Sequence, residues 1–495
     1  MQRRNFIKSI SLLSAGIGIS APTVFAGENP EVEDYSFRRV TGKITCDGKG
    51  IEHITISDGF SVARTDAKGN YTLDTHYSAR FVFMSIPAGY EIPNENGIAR
   101  FYKPLQPKTK SQQANFTLER ATQDDTKHTF IVWADTQIKT NEDAQKLLTI
   151  SAPDTKKHIS ALKDKTVFGI GCGDLVWDEF DLFKDYGEAV AITGIPFWQV
   201  IGNHDMDYEA RTDDASQQSF EAQFGPSYYS FNKGKVHYVV LDDVFFIGTG
   251  HRYIGYLTEA QLKWLEKDLK YVPQGSRVVV ALHIPTNTGD KRRNKKKEEE
   301  MGGVVTNRKA LYEILKPYKV QIVSGHTHWN EVWEKDNITE HNLGTVCGAW
   351  WSGPICGDGT PNGFGVFEVD GDDISWYYKA TGYEKPYQVR LYKPGADSEK
   401  PQALIANVWN YDKKWTVEWF EDGVAKGAME QYTGYDPSAT ELYLGGALPV
   451  ERKWIEPILT DHLFSAIPSK EAKEIKVRAK DRFGNVYEES IKLIA

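Results

Sequence analysis

Cysteine is scarce in this chain. Cys46, Cys172, Cys347 and Cys356 are the four among 495 residues, and their spacing matches neither a zinc finger nor a disulfide-dense scaffold. Cys347 and Cys356 are free to pair in an oxidising compartment or to stay as buried thiols, and the sequence leaves both open. Long apolar runs are missing too. Beyond the first 26 residues, no stretch is apolar for long enough to cross a bilayer. An excess of positive charge is also missing. The formal net charge is −9, which gives no support to a general nucleic-acid binder. No internal repeat is found. What the chain does have is a hydrophobic share of 40%, enough to fill real cores and to exclude disorder throughout. At this length, roughly two to four domains are expected.

Acidic residues are absent from the first 26 positions, which carry Arg3, Arg4 and Lys8. The basic start "QRRNFIKS" is followed by the short apolar segment "ISLLSAGIGISA" and then by "TVFAG", with Val24 and Ala26 set as a cleavage site requires. Residues 1–26 therefore read as an export signal. Arg3-Arg4 with Phe6 and Lys8 resembles a twin-arginine signal, which suits a protein that folds around metal before export. No Cys follows the apolar run, so no lipid anchor is expected. The expectation is an exported protein, periplasmic or secreted, with no stable membrane anchor.

Three regions follow. Residues 35–120 alternate apolar and polar positions, broken by Asp47-Gly48, Asp58-Gly59 and Lys68-Gly69-Asn70, the pattern of short strands and turns. "VTGKITCDGKGIEHITIS" and "TDAKGNYTL" resemble the opening strands of a transthyretin-like β-sandwich, a module used as a spacer or binding appendage. Residues 125–380 alternate apolar strands such as "TFIVWAD" and "SRVVVALHIP" with amphipathic segments such as "TEAQLKWLEKDLKYV". Residues 381–495 are β-rich again and read as a second small sandwich, with a hairpin candidate at Phe483-Gly484-Asn485. The one biased segment, "GDKRRNKKKEEEMGG", reads as a solvated, mobile loop more readily than as a lid over an anionic substrate.

The central strands end in polar residues. Asp135, Asp174, Asn203, His283, His326 and His328 each follow a short apolar run. Loops at strand ends are where a rigid scaffold holds functional groups. A single such His is most often structural. Six residues in five segments, combining carboxylates, an amide oxygen and imidazoles, form a ligand set for divalent cations of borderline hardness. With Asp135, the motifs "GD" (Gly173-Asp174), "GNHD" (Gly202–Asp205), "LHIP" around His283 and "GHTH" (Gly325–His328) resemble, in order, the calcineurin-like metallophosphoesterase family over roughly residues 128–380.

The resemblance implies an α+β fold: a core of two facing β-sheets flanked by helices, set between the two β-sandwiches. It also implies a dinuclear centre. Asp174 would bridge the cations, Asp135, Gln137 and His328 would complete the first site, and Asn203, His283 and His326 the second. Mn, Fe or Zn would suit it, with Mg as a further candidate. A metal-bound hydroxide would attack phosphorus in line. His204 would give a proton to the leaving oxygen, with Asp205 holding its ring. Gly202 and Gly325 would let the backbone turn sharply. The family's first motif is usually Asp-x-His, and here it is Asp135-x-Gln137. A subgroup of exported bacterial members with flanking β-domains carries Asp-x-Gln, and "NLGTVCGAWWSGP" (Asn342–Pro354) resembles that subgroup's signature. Trp177, where a purple acid phosphatase carries Tyr, argues against an Fe(III)–tyrosinate site. Trp350, Trp351 and Tyr208 are candidates to contact substrate. One of the two tryptophans is expected to stack on it and the other to pack beneath the metal loops.

The expected function is hydrolysis of a small phosphomonoester or phosphodiester, sugar- or envelope-derived, with no nucleic-acid partner. The competing class is a non-catalytic envelope or glycan-binding protein with a relic metal site. Substrate, native metal and oligomeric state are not legible.

Overall fold

The computed structural model describes residues 37–493 except 108, 163–165, 447 and 449. The export-signal stretch lies outside the described residues. Among them, no helix is long and apolar enough to cross a membrane.

The centre is built from two sheets. One has seven strands in the order Asp373–Ala380, Gly363–Asp370, Lys127–Trp133, Thr166–Cys172, Phe197–Val200, Ile98–Ala99 and Asn94–Glu95. The other has six, in the order Tyr229–Lys233, Val236–Val240, Arg277–Ala281, Lys319–Ser324, Ile338–Asn342 and Glu331–Lys335. Phe130 to Trp133 are fully buried, as expected of a strand covered on both faces, which reads as a continuous apolar run. The strands that precede the polar motifs run parallel within each sheet. Their C-terminal ends therefore share one edge, where open α/β sheets place their ligands.

The two sheets face each other through aromatic side chains. Phe130 and Phe168 of the first sheet meet Tyr238 of the second edge-on, at 5.5 and 5.3 Å. Helices Ala152–Ala161 and Phe183–Thr193 cover one outer face, and Glu259–Leu269 and Arg308–Leu315 the other. Pro153 lies at the second position of its helix, next to a π-helical stretch, Leu147–Ser151. A proline lacks the N–H that an α-helical ladder needs, so the wider turn falls where that bond is missing.

The N-terminal β-sandwich is more than an appendage. Its two sheets are centred on Phe37–Cys46 and on Thr55–Ser57 with Phe81–Met84. The chain then leaves the sandwich, and Ile98 pairs in parallel with Phe197 of the central sheet. Phe101 packs 4.9 Å from Trp198 and 4.4 Å from Tyr229. Trp264 donates its Nε1–H to Ser57 Oγ at 2.9 Å. The two regions thus share one core, and the composition change near residue 121 gives no sign of it.

The C-terminal region holds two four-stranded sheets, in the orders Arg390–Tyr392, Leu404–Asn407, Thr460–Ala466, Glu430–Gly434 and Val424–Ala428, Thr416–Glu421, Glu474–Lys480, Val486–Lys492. The hairpin expected at Phe483-Gly484-Asn485 forms, with Asp481 accepting from the N–H groups of Phe483 and Asn485. One helix, Pro437–Leu444, interrupts the strands, capped by the Asp436 side chain on Ala439 N–H. A buried network ties this region to the centre. The Asp358 carboxylate accepts from Asn330 N–H at 2.8 Å and from His462 Nε2 at 2.9 Å, while Asn407 Nδ2 donates to the Asp358 carbonyl at 3.1 Å. Although burial works against its charge, His462 keeps the Asp358 carboxyl below its usual range.

Buried neutral histidines make the fold sensitive to acid. Burial lowers His128 and His158 to about 4 and His341 to about 3. His128 is held between Tyr238 Oη at 2.6 Å and the Asp125 carbonyl at 2.8 Å. Between pH 6.5 and pH 4 the unfolded chain binds protons at these rings that the fold refuses, so stability falls as pH falls through that window. His128 alone accounts for about 3 kcal/mol. Urea midpoints are expected to be level near pH 7–8 and to drop steadily below about pH 6.5. Undiminished stability at pH 4.5 would contradict this reading.

Candidate metal centre

The strand ends of the two sheets converge. Asp135, Asp174 and Asn203 come from the seven-stranded sheet, and His283, His326 and His328 from the six-stranded one. All but His326 are buried. Asp174, His283 and His326 each offer a ligand atom, and these atoms lie within 4.8 Å of one another. His283 Nε2 is 3.2 Å from Asp174 Oδ1 and 3.2 Å from Asn203 Oδ1. His328 Nε2 is 3.5 Å from Asp135 Oδ1.

Carbonyl groups set the tautomers. A carbonyl only accepts, so the ring nitrogen facing it must carry the hydrogen. Nδ1 of His283 faces the Cys172 carbonyl at 3.0 Å, and Nδ1 of His328 faces the Gly348 carbonyl at 2.7 Å. In their neutral form both rings therefore offer a bare Nε2 to a cation. His326 is reversed: its Nε2 faces the Gly302 carbonyl at 2.9 Å, which leaves Nδ1 bare. Such hydrogen bonds behind ligating rings fix their orientation and raise their basicity.

Gln137 joins the same cluster. Its Nε2 donates to Asp174 Oδ2 at 3.0 Å, while its Oε1 is buried with no hydrogen-bond partner. An orphaned buried oxygen costs about 1–3 kcal/mol. A cation at this point removes that cost, so the residues present fit a divalent metal. Asp135 accepts from the His326 backbone N–H through both oxygens, at 3.0 and 2.9 Å. Despite burial, His283 and His204 hold the Asp174 carboxyl well below the usual carboxylate range. The His283 ring is raised to about 10, burial being outweighed by Asp174 and Asp135.

The backbone is strained here. Asp135, Gln137, Asp174, Asp178, His326, His328, Trp350 and Trp351 all have positive φ, a region costly for side chains other than glycine and typical of functional loops. Gly202 and Gly325 serve a purpose different from the sharp turn expected of them. Gly202 is extended, at φ −111°, and Gly325 is not among the positive-φ glycines. Space is what they provide. A Cβ at Gly202 would lie 2.0 Å from Asp174 N, and one at Gly325 would lie 2.3 Å from Asp135 Oδ2. Gly325→Ala is therefore expected to displace Asp135 and to weaken metal binding about tenfold or more. Titration of the metal-free variant with Mn or Zn reads this directly, and wild-type affinity would refute it.

The His204–Asp205 pairing needs correction. His204 Nδ1 bonds Asp178 Oδ1 at 2.8 Å. Asp205 is fully buried and instead accepts from the backbone N–H groups of Leu175, Val176 and Gly202 at 2.9–3.1 Å. Its geometry braces the loops that carry Asp174 and Asn203. Although burial opposes the charged ring, Asp174 and Asp178 raise His204 above its ordinary value. Asp178 was legible only as the last letter of "GDLVWD".

The aromatic candidates separate. Trp351 is buried and donates Nε1–H to the Thr136 carbonyl at 2.9 Å, beneath the metal loops. Trp350 stacks on His328 at 4.0 Å. Tyr208 spends its hydroxyl on the Asn203 carbonyl at 2.5 Å, and so supports a ligand candidate. The four cysteines are buried and free. Thr345 Oγ1 lies 3.6 Å from Cys347 Sγ and 3.7 Å from Cys356 Sγ.

The basic run is solvated as expected at Lys291, Arg292, Lys295, Lys296 and Lys297, but Arg293 is buried and part of the run is helical. It forms a short helix, Asp290–Arg293. Arg293 is buried against Glu331, Arg292 and Arg293 both reach Asp461, and Lys296 pairs with Asp290 and Glu300. The following turn presents the Gly302 carbonyl to His326.

Comparison with known proteins agrees with this architecture. The family model for Calcineurin-like phosphoesterase matches residues 128–330, and its companions for the N terminal and C terminal of Calcineurin-like phosphoesterase match residues 38–121 and 340–487. A curated relative, the probable glycerophosphodiester phosphodiesterase GpdQ of Arcobacter nitrofigilis, is 26% identical over 194 residues, covering 35% of this chain. The match spans 63% of that relative's length. Among solved structures, a purple acid phosphatase from yellow lupin seeds is 13% identical, covers 72% of this chain and 66% of its own, and has a TM-score of 0.36. A 5′-nucleotidase from Candida albicans is 14% identical, covers 52% of this chain and 51% of its own, and has a TM-score of 0.31. Neither structure carries weight for activity. With one matching segment over the strand-end cluster and its two companions on either side, this chain belongs to the calcineurin-like phosphoesterase family.

Proposed function

We propose that this protein is an exported, metal-dependent phosphoester hydrolase that works at a dinuclear centre on a small phosphomonoester or phosphodiester. The observation that carries the reading is the junction at Asp174. Its Oδ2 receives Gln137, and its Oδ1 faces His283 Nε2 at 3.2 Å and the His204 backbone N–H at 2.9 Å. One carboxylate thus touches both halves of the ligand set. Asp135, Gln137, His328 and Asp174 would hold one cation, and Asn203, His283, His326 and Asp174 the other. When bound, the two cations neutralise the phosphoryl oxygens and lower the pKa of water.

The chain's own residues do the rest. Asp205, through its backbone bonds, keeps the Asp174 and Asn203 loops in register. Tyr208 holds the Asn203 carbonyl. With Nδ1 of His204 committed to Asp178, Nε2 is the nitrogen left to give a proton to the departing alkoxide. Asp174 and Asp178 keep that proton on the ring. Trp350, stacked on His328, shields that ligand from water.

The test is an assay of the mature protein stripped of metal and reloaded with Mn, Fe, Zn or Mg. p-Nitrophenyl phosphate, bis-p-nitrophenyl phosphate and a panel of natural phosphoesters serve as substrates. Metal-dependent turnover of at least one is expected. Turnover of none would leave the competing class, a binding protein with a relic centre.

A further inference from the structure

Beside the metal cluster stands an aromatic wall of which only Trp350 touches a ligand candidate. Trp350 stacks on His328 on one side and meets Trp454 on the other, at 4.5 Å and 63°. Trp177 lies 6.4 Å from Trp350, 6.0 Å from Trp454 and 5.5 Å from His204. The three indoles therefore run from one ligand candidate, His328, to the proton donor candidate, His204. Trp454 is 50% exposed. A large indole left half in water beside a reaction centre has apolar area to bury on a ligand.

Two cations frame this wall. Lys139 Nζ lies 4.2 Å from the Trp177 ring centre, and the Arg452 guanidinium 4.9 Å from it. Arg452 is only 9% exposed, and its Nη1 is buried without a hydrogen-bond partner. Among the described residues, its side-chain acceptor is Asp143 Oδ2, at 3.4 Å from Nη2. Arg452 therefore backs Trp177 from within the protein and holds that indole in place.

Trp454 and Arg452 belong to the C-terminal region, and their place is fixed. Ile455 packs with Ala349 and Ile355, and Tyr443 Oη donates to the Ile355 carbonyl at 2.5 Å. Trp454 Nε1 donates to the Glu451 carbonyl at 2.9 Å. The loop that carries Trp350 is thus clamped by the region that supplies Trp454.

We infer that Trp454, with Trp350 and Trp177 beside it, forms a stacking subsite for a ring in the alcohol portion of the substrate. This rests on the phosphoesterase reading for its position beside the scissile bond. The shared ligand chemistry is a ring with a broad apolar face, and both a nucleoside and a sugar present it. Stacking on an indole discriminates by ring face rather than by sequence of groups.

Two measurements test it. The first is equilibrium quenching of intrinsic fluorescence by the phosphate-free alcohols adenosine, methyl glucoside and glycerol. Quenching by adenosine or by methyl glucoside supports the subsite and names the source, and quenching by neither overturns it. Trp454→Ala should weaken the effective ligand about tenfold or more, with Trp454→Phe restoring part of the loss. The second is the ratio of kcat/KM for adenosine or glucose phosphoesters over glycerol phosphoesters. This ratio should fall about tenfold or more in Trp454→Ala, and an unchanged ratio would overturn the assignment. If no phosphoester is turned over while binding persists, the hydrolase reading falls and the subsite stands.

Discussion

Replacing Asp174 with Asn is expected to empty both cation positions and to lower phosphoester hydrolysis about 1,000-fold or more, equivalent to about 4 kcal/mol at the transition state. The carboxylate is the point where the two halves of the ligand set meet, within 3.2 Å of both His283 and the His204 backbone. Asn keeps the shape but loses the charge, and it can place an N–H where His204 N–H already donates. Two cations held close together repel strongly, and a neutral amide does not offset that. Metal content and kcat/KM of the purified variant read both effects. A variant that retains its metals and keeps activity within tenfold of wild type would show that Asp174 is not the bridge.

His204→Ala is expected to cut turnover about 100- to 10,000-fold while leaving metal content intact. The loss should fall on kcat, as expected of a ring proposed to act on the leaving group rather than on ground-state binding. The contacts of this ring separate its two neighbouring carboxylates. Asp178→Asn should produce a smaller loss of the same kind, since Asp178 Oδ1 holds His204 Nδ1 at 2.8 Å. Asp205→Asn should act differently. It puts an N–H group in place of one of the two oxygens that accept from the Leu175, Val176 and Gly202 N–H groups. Lower thermal stability and weaker metal retention are therefore expected together. If Asp205→Asn instead matched His204→Ala with stability and metals unaltered, Asp205 would be the partner of His204 after all.

Much of this was written in one dimension because it depends on order along the chain. A carboxylate, amide or imidazole after each apolar run is a local signal, and parallel strands then bring those ends to one edge. The flanking β-regions follow from the alternation of patterns, whereas the two facing sheets were implied by the family resemblance. What stayed hidden depends on contacts between distant segments. Asp178 as the partner of His204, Gly302 as the brace of His326, and Trp454 beside Trp350 join residues 26, 24 and 104 positions apart. Ile98 entering the central sheet is hidden for the same reason, since a two-residue strand carries no periodic signature. The glycines were placed correctly and explained wrongly. Close approach to a carboxylate and a turn both demand glycine, and only coordinates tell them apart.

The most direct test of the account is the number of divalent ions bound per chain, measured by elemental analysis on the wild type and on Gln137→Ala. Gln137 Oε1, buried and unpartnered, is the atom that most needs a cation. The account predicts two ions per chain in the wild type, with the variant losing affinity at one position and keeping the other. No bound ion, or one ion unaffected by Gln137→Ala, would contradict it.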